Sequence, residues 1–370
     1  MQGLLKERQL NTIVTDLRRR LHNCAELSGQ EVRTIQILNE FLQTHTDFKT
    51  VCTNGYLYAY KHLADNLPSI AFRADIDAIM GEQGSAPRHG CGHDGHAAIL
   101  AGLGVALSHN PIADKNIYLL FQPAEEIGSG ARQIVEDGFI QQHNIKEIYG
   151  LHNIPGVAQD TVICRMGIFA CTSKGLTVKL TGRPSHAAYP EAGINPVYAF
   201  AELVNKLNQP VENAQGLVLC TIVHLQVGQK AFGTAAAQGE LSMTLRAEYE
   251  RDLNSLEAQI RAVIKQRAEQ YGLEYEFACC DEFPETANSE ECVAKVVQVC
   301  RELGLNYEHM QQPMRWSEDF GYYTKQTQGA FFGLGAGLDY PQLHTDGYDF
   351  PDQLLTTGIN LFYKLAQAKL

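Results

Sequence analysis

Eight residues constrain this chain more than any others: His89-Gly90-Cys91-Gly92-His93-Asp94-Gly95-His96. Three histidines, a cysteine and an aspartate are packed together with glycines between them. Cys91 offers a soft thiolate and His93 a borderline imidazole, and the glycines let the backbone turn so that both reach one ion. A fold that uses this pair has to bring further donors from elsewhere. Gln122-Pro123-Ala124-Glu125-Glu126 supplies two adjacent carboxylates, while Leu151-His152-Asn153 and Leu343-His344-Thr345 supply two more imidazoles. The set reads as a hydrolytic metal centre.

The surrounding pattern predicts an α/β fold. Apolar runs of strand length cover 69–72, 117–121 and 148–151, and a helical stretch covers 97–107. Strands alternating with helices imply an open, mostly parallel sheet. Each run ends in polar chemistry: Arg73-Ala74-Asp75-Ile76-Asp77, then Gln122 to Glu126, then His152-Asn153. Ligands of open α/β sheets bind beyond the carboxyl ends of the strands, and three strands delivering ligand-type residues to one edge is hard to obtain by chance. Upstream, Leu10, Ile13, Val14, Leu17 and Leu21 recur at helical spacing, and Ser28-Gly29-Gln30-Glu31 reads as a capping box opening a second helix.

The middle of the chain changes character. Strands over 175–180, 217–227, 240–248 and 274–279, with helices over 196–207 and 252–271, follow the β-α-β-β-α-β order of a ferredoxin-like unit. Two domains follow: a discontinuous catalytic domain over 1–171 and 283–370, and an inserted α+β domain over 172–282. A chain of 370 residues calls for more than one core. Its formal net charge of -12 argues against nucleic acid or an anionic membrane as partner. No apolar run is long enough for a transmembrane helix, and the charged N-terminal stretch lacks a secretory apolar region. The 10 cysteines are scattered, with no C-x-x-C pair and no disulfide framework, so a reducing cytoplasm is the expected location.

Each candidate residue has a plainer reading beside the functional one. A lone cysteine or histidine is usually a core or capping residue; the cluster favours Cys91 and His93 as ligands. Glu125 and Glu126 read alone as surface charge, but neighbouring side chains on an extended segment diverge. One can bind metal while the other serves as a base, which is what hydrolysis requires. Asp75 and Asp77 share a side, and either can orient a ligating imidazole through its second nitrogen; the plainer reading is solvated acids at a strand end. Asp94 reads equally as a helix N-cap, and His96 as a structural residue. His152 and His344 complete a count of five donors with Cys91, His93 and Glu126, which suits two ions sharing a thiolate better than one tetrahedral ion. His186, in Gly-Arg-Pro-Ser-His-Ala-Ala-Tyr-Pro, reads alone as a surface-loop histidine. H-E-x-x-H, G-x-S-x-G, Walker A and the zinc-deaminase signature are absent.

Together these motifs resemble the metal-dependent aminoacylases and carboxypeptidases with a dinuclear centre. Within that family they are most similar to the bacterial aminoacylases, N-acetyl-diaminopimelate deacetylases and auxin-conjugate hydrolases. The matching pieces run in order through nearly the whole chain, among them A-F-R-A-D-I-D-A-I, H-G-C-G-H-D-G-H-A-A, F-Q-P-A-E-E-I-G-S-G, G-L-H-N-I-P-G, G-R-P-S-H-A-A-Y-P and S-E-D-F-G-Y-Y. The resemblance implies that Cys91, His93, Glu126, His152 and His344 bind two divalent ions (zinc, manganese, cobalt or nickel) and that Glu125 is the general base. It implies that the inserted domain is a lid through which the chain forms a homodimer. His186 would then reach the partner subunit's active site and stabilise the oxyanion, and Asn195 would help hold substrate. The implied reaction is hydrolysis of the amide bond of a small N-acyl amino acid or related conjugate. A dipeptidase or carboxypeptidase on the same centre is the first alternative; a non-catalytic binding protein is the second, and the intact Glu125 argues against it. Three departures stand out. Gly233-Thr234-Ala235 is followed by Ala236-Ala237-Gln238-Gly239 in place of the usual N-V-I-P stretch, the loop from Asp77 to Cys91 is short, and Ala25 stands where proline is expected.

Overall fold

The apolar runs form the middle of an eight-stranded sheet in the computed structural model, which describes residues 2–81, 84–207, 209–212, 214 and 216–370. The strand order is Lys49–Thr53, Tyr56–Lys61, Asn116–Gln122, Ser69–Asp75, Ile145–Pro155, Gln328–Gly337, Val162–Cys164, Tyr307–His309. The four central strands pair in parallel. Ser69–Asp75 and Asn116–Gln122 are buried at every position, which is why their sequences are nearly unbroken apolar runs instead of alternating ones. The expected open α/β sheet is the observed one.

Helix His93–His109 is buried on almost every face. Its small residues explain how. A Cβ on Gly102 would lie 2.4 Å from Ile359, and a Cβ on Gly358 would lie 2.5 Å from Ile99, so helices His93–His109 and Leu354–Gln367 meet at backbone distance. Val14, Leu17, Phe72, Leu100, Leu119, Phe332 and Phe362 fill the core around them. Among the described residues no helix is long and apolar enough to cross a membrane.

Three local expectations are corrected. Ser28 and Glu31 do not form a capping box: helix Val32–His45 starts without a cap bond from Glu31, and the carboxylate of Glu26 accepts the N–H groups of Arg33 and Thr34 instead, at 3.2 and 2.8 Å. Asp94 is not the N-cap of its helix; Gly92 holds that position, and Asp94 pairs with Arg18 and His22. His152 and Asn153 lie within their strand, opposite Gly333 and Leu334, because buried polar residues with partners do not end a strand. Lys49–Thr53 and Tyr56–Lys61 also form a hairpin, turned by Asn54-Gly55, both at positive φ, the dipeptide suited to such a turn. Residues 82 and 83 of the short Asp77–Cys91 loop lie outside the described residues.

The chain divides into two compact units: 1–169 with 286–313 and 319–370, and 170–285 with 314–318. The second unit contains a four-stranded sheet in the order Val218–Val227, Gln238–Ala247, Thr172–Thr181, Glu274–Phe283, all antiparallel. With helices Val197–Lys206 and Glu250–Tyr271 this is the ferredoxin-like arrangement. The longer helix buries Leu253, Leu256, Ile260, Ile264 and Ala268, spaced by three and four, against a core that includes Leu176, Val178, Phe200, Leu241 and Met243.

Candidate metal centre

The candidate centre lies wholly within the first unit, at the carboxyl edge of its central strands. Asp75 ends one strand, Gln122 ends the next, and His152 comes three residues before the end of a third. Cys91 and His93 flank Gly92, which sits at φ +94° and opens the buried helix. His344 arrives from a distant loop at φ +64°, an uncommon conformation for a side-chain-bearing residue and one that marks functional loops. Its N–H donates to the Gly90 carbonyl at 2.8 Å. The Arg88 guanidinium donates to the carbonyls of His344 and Thr345 at 2.7 and 2.8 Å.

The donor atoms converge. Cys91 Sγ lies 3.4 Å from His152 Nε2, His93 Nε2 lies 3.8 Å from Glu126 Oε1, and His344 Nε2 lies 3.5 Å from the same oxygen. Ligands at bond lengths of about 2.0–2.3 Å around one tetrahedral ion stand roughly 3.3–3.8 Å apart. All three separations are right for a shared cation, and the 3.8 Å between His93 and Glu126 is too long for a hydrogen bond. His93 Nε2 and Glu126 Oε1 are buried and have no hydrogen-bond partner, a state that a cation would relieve. Two donor sets share one thiolate: Cys91 with His93 and His152, and Cys91 with Glu126 and His344, the atoms of each set lying within 4.8 Å of one another. The residues fit a divalent metal.

The far nitrogens of the imidazoles are held. His93 Nδ1 lies 3.0 Å from Asp77 Oδ1, and His152 Nδ1 donates to the Asn153 carbonyl at 2.8 Å, so both Nε2 atoms turn to the centre. His96 is occupied on both sides, by Asp75 and by Asn153 at 2.6 Å each. Asp75 therefore orients His96, and Asp77 orients His93. Asp75 is itself gripped by Arg73 at 2.7 Å, and Arg73 and Gln122 both bind buried Asp319 at 2.9 Å.

Protonation follows the same geometry. Burial pushes the Cys91 thiol up, and Glu126 adds to the shift. Burial works against charge on His93, but Asp75 and the Cys91 thiolate outweigh it and raise its pKa well above the usual range. His344 is raised to about 10 by its interactions with Cys91 and Glu126, whereas burial and His96 hold His152 well below. Acidic groups that favour protons on His93 and His344 make a site that draws positive charge, and a metal bound there would compete with those protons.

Glu125 is buried, with 7% of its surface exposed, and its carboxylate, that of Glu126 and a His93 nitrogen lie within 4.8 Å of one another. Ala124, at φ +53°, turns the chain between Pro123 and this acid pair. The turn admits only glycine at 130, where a Cβ would lie 1.7 Å from the Pro123 carbonyl oxygen. Burial pushes the Glu31 carboxyl up to about 7, against the pull of the Ala124 N–H that it accepts.

His186 and Asn195 belong to the second unit. Ser185–His186 pairs with Thr234–Ala235, and the Ala188 N–H donates to His186 Nδ1 at 3.1 Å. The neutral ring therefore carries its proton on Nε2, as a donor. Asn195 Oδ1 accepts the Val197 N–H at 3.0 Å, the local bond of a residue that starts a helix. Sequence reasoning passed over Arg88, Arg73, Asp319 and Asn153 as partners of the centre. Three of them stand inside motifs already noted (R-A-D-I-D, L-H-N and S-E-D-F); Arg88 carries no local signal.

A parallel sheet whose strand ends gather thiolate, imidazole and carboxylate donors beside a buried second carboxylate belongs to a metal-dependent hydrolase of amide bonds. The chain is a member of peptidase family M20/M25/M40, whose pattern matches residues 71–368. It is 27% identical over 357 residues to an N-acetyldiaminopimelate deacetylase of Exiguobacterium sibiricum, covering 91% of this chain and 95% of that one. It is 27% identical over 379 residues to an N-acetylcysteine deacetylase of Bacillus subtilis, covering 98% of both. A dinuclear metal-binding peptidase of the M20 family from Bacillus subtilis has the same fold, with a TM-score of 0.80, 24% identity, and coverage of 97% of this chain and 98% of that one.

Proposed function

We propose that the chain removes a small acyl group, such as acetyl, from an N-acyl amino acid, using two divalent ions held by Cys91, His93, Glu126, His152 and His344. The observation that carries the reading is the sharing of Cys91 by two donor sets, with buried Glu125 beside them. Bound ions supply Lewis acidity toward the amide carbonyl and make water acidic enough to ionise near neutral pH. Glu125 takes the water's proton and hands it to the departing amine. His186 presents Nε2–H as an oxyanion donor, and the inserted unit serves as a lid and as the face of a homodimer. The donor set accepts zinc, manganese, cobalt or nickel. The bond that Asn195 makes to Val197 supports a structural role for it over substrate contact. Free thiols at all 10 cysteines support a cytoplasmic location.

The test is primary-amine release from a panel of N-acetyl amino acids and free dipeptides, with added Mn²⁺ or Zn²⁺ and with chelator. Chelator-sensitive release from the N-acetyl compounds supports the proposal. Release from dipeptides alone makes the chain a dipeptidase, and silence from the metal-replete protein points to an acyl group outside the panel or to a binding role. Glu125→Gln is expected to retain metal and lose about 10²–10⁴ in kcat; near-normal turnover in that variant would remove Glu125 as the base.

A further inference from the structure

Ser28 and Glu31, the pair that resembles a helix cap, both turn away from their helix. The Ser28 hydroxyl donates to Asp77 Oδ2 at 2.7 Å, and the same oxygen accepts the Glu126 N–H at 2.9 Å. Glu31 reaches across 93 residues of sequence to accept the Ala124 N–H at 2.8 Å. It is 3% exposed, so this bond is made away from water. Leu27 bridges to Ala78, and the Ala78 N–H donates to the Glu26 carbonyl at 2.9 Å. One tetrapeptide thus touches the backbone on both sides of Glu125: Ala124 directly, and Glu126 through Asp77.

We infer that Glu31 is a positioning residue for Glu125, holding the left-handed turn at Ala124, while Asp77 holds the ligand Glu126 through its N–H. Ser28 completes the brace from the other side. Ala124 at φ +53° is not a conformation that an alanine keeps unaided. Without the acceptor, the N–H is left buried and unpaired, and the turn relaxes to satisfy it. Glu125 then swings, while Glu126, tied to Asp77, stays in place with Cys91, His93, His152 and His344. This role rests on Glu125 being the base.

The experiment compares Glu31→Leu, Glu31→Gln and Glu125→Gln in the full chain. It measures bound metal, kcat and KM on an N-acetyl amino acid, and hydrogen exchange of the Ala124 amide. Glu31→Leu is expected to lose about 100-fold in kcat with KM little changed, since a displacement of about 1 Å costs that much. Metal content stays at the wild-type level and the Ala124 amide loses protection. Glu31→Gln keeps a carbonyl acceptor and restores both kcat and protection, which a generally damaged fold would not do. Wild-type kcat in Glu31→Leu, or an Ala124 amide still protected there, overturns the brace. Loss of metal in step with kcat overturns it as well, because the defect would then lie in ligation. If Glu125→Gln turns over normally, the base assignment fails, whereas an inactive Glu125→Gln beside an active Glu31→Leu sinks the brace alone.

Discussion

Gly92→Ala is the substitution that tests most directly how tightly the turn between Cys91 and His93 is held. Gly92 sits at φ +94°, where an L-residue incurs roughly 1–2 kcal/mol. A Cβ there would also lie 2.4 Å from Asn153 Oδ1 and 2.5 Å from the Tyr348 hydroxyl, against an ordinary contact of about 3.5 Å. Both neighbours would have to retreat by about 1 Å. They are tied to each other and to the centre: Asn153 Oδ1 is 2.6 Å from His96 Nε2, and Asn153 Nδ2 donates to Tyr348 at 2.5 Å. Losing one such buried bond adds about 1–3 kcal/mol, so the whole cost is about 3 kcal/mol. Gly304→Ala is the matched control, at φ +68° with nothing within 4 Å of its Cβ, and it incurs the backbone term alone. The assay is thermal unfolding of both variants together with metal retention against a competing chelator. Gly92→Ala should unfold at the lower temperature and bind metal at least 10-fold more weakly, by about the factor seen when partners of ligands are removed; Gly304→Ala should retain metal normally. If the two variants behave alike in both measurements, the close approach of Asn153 and Tyr348 does not constrain the turn and the reasoning is refuted.

Arg88→Met removes both hydrogen bonds to the His344 loop and should weaken metal binding by about 10- to 100-fold, read by competition titration; unchanged affinity would mean that the loop holds its shape without the guanidinium. Arg18 pairs with the fully buried Asp94 carboxylate and with Asp349 and Asp352, so Arg18→Met should cost about 3–5 kcal/mol in urea unfolding, part of which Asp94→Asn in the same chain should recover. Glu31 carries a carboxyl raised from 4.5 to about 7. The fold favours its neutral form, so the stability it contributes is full below pH 4.5 and is lost as pH rises through about 7. That loss is on the order of 3 kcal/mol, and Glu31→Gln should flatten the fall in melting temperature between pH 5 and pH 8. A fall of equal depth in the variant would assign the effect to another group.

The strand ends were legible because each signal is local: an apolar run, then a residue with a lone pair to offer. Cys91 and His93 identify themselves by spacing. The direction of a polar side chain is not local, and there the sequence misleads. Ser28 and Glu31 have the residue types of a helix cap, yet the helix begins only at Val32, Glu26 takes its first free N–H groups, and both find partners far away in sequence. Asp94 has the residue type of a cap but lies inside the helix, beside a buried arginine from another helix. His152 and Asn153 looked like the end of a strand because they are polar, whereas their partners, Cys91 for one and His96 for the other, make them admissible inside it. Arg88 shows the limit most plainly, since nothing near it announces the two carbonyls 256 and 257 residues away that it holds.

The strand Gln328–Gly337 lies in the interior of the eight-stranded sheet, yet every other strand of that sheet precedes it in sequence. A chain emerging from the ribosome therefore builds both flanks of the sheet before the piece that joins them. Until then the strand that carries His152 shows an open apolar edge, the kind of surface that invites pairing with other chains and engages chaperones. His344 follows that strand closely, so the sheet closes and the last donor arrives at almost the same moment of synthesis. With the proposed ligand set, metal loading is in this way tied to completion: a chain interrupted before this point has neither a closed sheet nor all five proposed donors.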